Sequence, residues 1–245
     1  RRSSDLPVVS WFFKRKRPVG RTLRLRSRGD YGDVRRVDFE ELAPDVDTFL
    51  GQAAYLQLGY FETLSDLIAS TPELSQKESL SLAAGTALLK HRELVGVIRD
   101  RGADPLELML PFREPLDAFR RATHGARPLE TMLSVHLTAG MLDDFYLALS
   151  ASYGDTGRQV AVILRAHDDR SALVRIITDA IAADEQWRGL LSLWGRRLVG
   201  DTLLIARAAL RSTSLQPADE KRVEPTYADV MAAHSRRMAA MGLEA

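Results

Sequence analysis

Four stretches of this chain repeat apolar residues at i, i+3, i+4 and i+7 over roughly 25 residues each, and no segment alternates apolar and polar residues as a half-buried strand would. That period predicts an all-α fold. The first stretch covers residues 44–71, with Asp45 or Asp47 to cap its start and Ser70-Thr71-Pro72 to stop it. The second covers residues 75–102, where Gly102 after Arg99 and Arg101 is a C-terminal stop signal. The third and fourth cover residues 127–153 and 188–212. Shorter helices are expected over 114–124, 155–167 and 169–186, and a last one over 226–241, after a polar linker that ends at Pro225. A 25-residue helix rises about 37 Å, the scale of a large antiparallel bundle. The short connection between the first two makes them a hairpin. The organisation expected is therefore an arm over residues 1–36, a four-helix bundle with additional short helices over 37–214, and a linker with a C-terminal helix over 215–245.

Charge divides the chain at the same place. The net charge is +1, but residues 1–36 hold 12 Lys/Arg against 3 Asp, so a +9 arm precedes a body of about −8. The arm carries Lys14-Arg15-Lys16-Arg17 and shows no sustained helical period. Such an arm is suited to RNA or another phosphate-rich partner, with Trp11 and Phe12 as stacking surfaces, and it also reads as a plain solvated tail. Cysteine is absent, which excludes disulfides, thiolate metal sites and a cysteine nucleophile, and fits a reducing, cytoplasmic setting. No apolar run reaches the roughly 18 residues of a membrane span. A homodimer is the largest assembly expected.

Acids and histidines on an apolar helix stripe are informative, because burying them costs free energy unless they are paired or ligate a metal. One stands on each long stretch: Glu62, His91, Asp144 and Asp201, with Asp143 as the alternative to Asp144 one helical step away. One potential ligand per helix is the logic of a carboxylate-bridged di-metal site. Such a site also takes a Glu-x-x-His pair from each of two helices, and here Leu88 stands three residues before His91. None of His124, His136, His167 and His234 follows an acid at that spacing either. The four residues therefore read as ligands of a single ion, or as a polar network paired with arginines such as Arg196 and Arg197.

Several segments together resemble one family. VDFEELA (37–43), AAYLQLGYFETLSDL (53–67), GMLDDFY (140–146), LWGRRLVGDTL (193–203) and HSRRMAAMGL (234–243) are similar to actinobacterial ferritin-like proteins grouped with the tRNA hydroxylase acting on 2-methylthio-isopentenyl-adenosine. The resemblance runs over residues 37–243 and implies a ferritin-like bundle. For the hydroxylase it implies a non-haem di-iron centre that activates dioxygen, so iron is the cofactor expected. By the same resemblance Glu62 matches the carboxylate of the first helix, His91 the histidine of the first Glu-x-x-His, and Asp144 the acid of the third helix.

Three functions are open on these grounds. One is a di-iron hydroxylase acting on RNA. The second is a non-catalytic bundle that binds or scaffolds a partner. The third, iron storage or peroxide detoxification, fits poorly with the short ligand set and the appended terminal helices. There is no G-x-x-x-x-G-K-[ST] loop, G-x-S-x-G elbow or H-E-x-x-H motif. Gly51 and Gly59 inside the first stretch are expected to serve close helix packing. In the last helix Tyr227, Val230, Met231, His234, Met238 and Met241 share a face expected to pack on the bundle itself.

Overall fold

Asp45 accepts a hydrogen bond from the backbone N–H of Thr48 at 2.9 Å and so fixes where the first helix begins. In the computed structural model this helix, α1, spans Val46–Ser70 and ends before Thr71-Pro72. The structure describes residues 42–166, 170–210 and 217–245, with the side chains of 217–222 left out. Arm residues 1–36, with Trp11 and Phe12, and His167 lie outside the described residues.

A three-residue turn leads into α2 (Leu74–Asp100), which packs along α1 as a hairpin and stops at Gly102, whose φ of 79° suits glycine. Then α3 (Pro105–Met109), a 3-10 turn (Leu110–Phe112) and α4 (Arg113–Ala122) run back over α1. Next comes α5 (Pro128–Ser150), whose residues are buried nearly all round. A helix apolar on every side belongs in the middle of a domain, and α5 indeed touches α1, α6 (Gly154–Arg165), α7 (Ser171–Ala183), α8 (Gln186–Ala208) and α9 (Pro217–Ala240). The described residues form no strand.

The fourth side of the bundle differs from the sequence expectation. The long stretch 188–212 does not close it. That side is taken by α6 and α7, which both lie against α2 and α5, while α8 packs on the outer side of α5 with α4, α7 and α9 as its lesser neighbours. Together α6 and α7 reach from 154 to 183, a span comparable to α2, but His167, Asp168, Asp169 and Arg170 interrupt the apolar period of the sequence, so the stretch reads as two short elements.

Two further corrections concern local packing. The segment expected as a linker up to Pro225 is already helical from Pro217, because buried Val223 and Thr226 anchor it. Close packing explains Gly51, where a Cβ would collide with the carbonyl of Leu108, but not Gly59, where a Cβ would meet nothing within 4 Å. The apolar face of α9 packs on the bundle as expected through Val230, Met238 and Met241, whereas Met231 is exposed.

Candidate functional site at the bundle centre

Consecutive residues on a helix point about 100° apart, and on α5 that step separates two aspartates with different surroundings. Asp143 is 4% exposed and faces α1 and α2. Its Oδ1 accepts from Gln57 Nε2 of α1 at 2.9 Å, and its Oδ2 accepts from Lys90 Nζ of α2 at 3.0 Å. The guanidinium of Arg170, at the start of α7, stands 3.6 Å from the same oxygen. Lys90 is also 4% exposed, so this is a buried ion pair. One residue from each side of the bundle thus meets at its centre. Beside it Tyr60 donates to Thr138 Oγ1 at 3.2 Å, and burial raises the pKa of the phenol, which stays neutral. The cavity among these groups measures about 20 Å³, room for one water.

The residues singled out in the sequence lie elsewhere. Glu62 is half exposed and pairs with Arg120 of α4. His91 lies between α1 and α2, where its Nδ1 donates to the carbonyl of Ala54 at 2.9 Å, since a carbonyl oxygen only accepts. Asp144 faces α9 and takes Arg237 Nη2 at 2.8 Å, and the absence of a side chain on Gly140 leaves room for that arginine. Asp201 is half-buried on α8, outside the four sides that meet at Asp143. Among the described residues no group of three or more His, Asp or Glu side chains gathers where it would hold a metal ion. The ion pairs of Glu62 and Asp144 do come from arginines, as the network reading expected, but from Arg120 and Arg237 in place of Arg196 and Arg197.

The centre does not fit the iron site implied by the resemblance. Its single carboxylate already accepts donors on both oxygens, and its other members, Lys90, Gln57 and Arg170, include two cations. A divalent ion placed 4 Å from an ammonium is repelled on the order of 8 kcal/mol at an effective dielectric near 20. Metal sites of this kind surround the ion with neutral or anionic donors. The sequence did carry a signal for the network. Lys90 lies three residues after Ala87 and four before Leu94, on the same buried stripe. Long basic side chains usually reach past such a stripe to water, so the residue passes as a surface lysine unless a buried acid opposite is known.

A family model of the ferritin-like domain of actinomycetes matches residues 41–214, from the start of the described bundle past α8. The chain therefore belongs to that family. No curated protein matches it.

Proposed function

We propose that this member of the actinomycete ferritin-like domain family is a non-catalytic binding protein, with a buried ion pair and not a metal at the centre of its bundle. The observation that carries the reading is the contact of Lys90 Nζ with Asp143 Oδ2, 3.0 Å long and buried on both sides. An ammonium at that point takes up the lone pairs a metal would need and opposes its charge. The test is elemental analysis of protein produced in iron-supplemented medium, with less than about 0.2 equivalents of any transition metal expected. One or more equivalents of iron, lost from a variant that lacks both Glu62 and His91, overturns this reading. That outcome favours the hydroxylase.

A second reading concerns the partner. The +9 charge of residues 1–36 supports RNA as what the bundle binds. Deleting the arm then weakens RNA binding and lowers the slope of log K against log salt by about 0.7 for each phosphate that the arm neutralises. Unchanged affinity and slope remove RNA as the arm's partner.

A further inference from the structure

On α2 the residues opposite the core form a pattern with a centre at Gly85. Leu80, Ala87 and Leu94 point inward and are buried. On the other side Leu74, Glu78, Gly85, Leu89, Arg92 and Gly96 follow one another at steps of three, four and seven residues, so they line a single stripe along the helix. Leu74 is 79% exposed and Leu89 45%, and Leu82, 60% exposed, stands at the edge of the stripe. Gly85 and Gly96 lie in mid-helix, where glycine weakens a helix more than any residue but proline. Neither serves packing among the described residues, since a Cβ at either would meet nothing within 4 Å.

The stripe is complementary to itself when reversed. Counted from Gly85, Glu78 lies seven residues before and Arg92 seven after, while Leu74 lies eleven before and Gly96 eleven after. Leu82 lies three before and Leu89 four after. Glu78 and Arg92 are both exposed, and neither makes an ion pair among the described residues. In an antiparallel pair of α2 helices that crosses at Gly85, residues at equal distances on opposite sides of it face each other. Glu78 of each copy then meets Arg92 of the other, twice over by symmetry. Leu82 of each copy covers Leu89 of the other, and Leu74 lies over the open Gly96. With no side chain at the crossing, the two helix axes come close together. A parallel pair would instead set Glu78 on Glu78 and Arg92 on Arg92, and like charges repel.

We propose that this face of α2 is a homodimer interface, on which a second copy of the chain docks antiparallel with the two-fold axis at Gly85. The charge pattern selects the chain's own α2 as the occupant, because an isologous contact requires a face that is self-complementary about one point. The stripe is one helix wide and about 33 Å long. That falls short of the roughly 1,200 Å² buried in a stable complex, so the dimer is of the weak, reversible class. The inference goes beyond the binding role proposed above and depends on neither the metal content nor the arm.

Sedimentation velocity on the full chain, from about 5 to about 500 µM, tests it: the weight-average mass should rise from monomer toward dimer. Glu78→Arg and Arg92→Glu each place like charges across the interface twice, and each should weaken the dimer about tenfold or more. In an equimolar mixture of these two variants both contacts again join opposite charges, so association should return to within about threefold of wild type. Gly85→Leu, at a position with open space for a side chain, holds the helices apart and should also weaken the dimer about tenfold or more. Leu193→Arg, on the exposed side of α8, leaves association as in the wild type. The substituted positions all lie on the surface, and circular dichroism should show the folded bundle in each variant. A monomer at every concentration, single variants that associate like the wild type, or a mixture no tighter than the single variants overturns the proposal.

Discussion

Replacing Lys90 by Met keeps most of the volume of the side chain and removes the cation nearest to Asp143. Breaking a buried pair by deleting one partner costs about 3–5 kcal/mol, because the charge left behind stays out of water. Asp143 would still accept from Gln57 at 2.9 Å and have Arg170 at 3.6 Å, which places the loss at the lower end, about 3 kcal/mol. For a domain of this size each kcal/mol moves the melting temperature by about 2–4 °C, so the expected drop is roughly 6–12 °C. Circular dichroism melts and urea titrations at neutral pH measure it. The double variant Lys90→Met with Asp143→Leu removes both charges of the pair, takes the acceptor from the Gln57 amide, about 1 kcal/mol, and takes from Arg170 the carboxylate at 3.6 Å. It should therefore recover part of the loss, since an apolar replacement of a buried pair is often neutral or better while Arg170 loses one anion nearby. A single variant within about 0.5 kcal/mol of wild type, or a double variant as unstable as the single, refutes a buried, coupled pair at the centre.

The two glycines of α1 should respond in opposite directions. Gly51→Ala, driven against the Leu108 carbonyl, should lose about 1–3 kcal/mol, while Gly59→Ala gains up to about 1 kcal/mol from helix propensity; both are read from urea midpoints. At His234 of α9, 3% exposed, burial and then the nearby Arg237 lower the pKa below its ordinary value. The folded protein thus binds this proton less readily than the unfolded chain. The contribution of His234 to stability is present above about pH 6.5 and is lost as the pH falls below it. His234→Leu should flatten that part of the stability-versus-pH curve, and an unchanged slope between about pH 6.5 and 5 rules out a buried neutral imidazole.

Most of the helices were legible because their signals are local. The 3.6-residue period, the Asp45 cap and Gly102 each act within a turn or two of chain, and the structure keeps them where the sequence pattern places them. What the pattern did not carry was adjacency. The length of 188–212 suggested a bundle side, yet two shorter helices hold that position, because length says how far an element reaches and not what it packs on. The burial of α5 on all sides has the same consequence. When every face of a helix is covered, periodicity no longer tells which neighbour a given residue meets.

This loss of direction decided the reading of the site. The sequence pattern favoured Asp144 over its neighbour Asp143 as the inward acid, and the structure reverses that choice, because α1 and α2 lie on one side of α5 and α9 on the other. From there the chemistry follows from charge. Asp144 meets an arginine from the terminal helix and becomes part of how α9 is held. Asp143 meets a lysine from α2, and that lysine changes what the bundle centre is able to do. In a metal-held bundle the free energy of binding the ion is part of the free energy of folding. Here the compensating cation is a side chain of the same chain, so the centre can be satisfied by folding alone, whatever the supply of iron. The centre thus fixes the register of α1, α2, α5 and α7 through the contacts that Gln57, Lys90 and Arg170 make with Asp143.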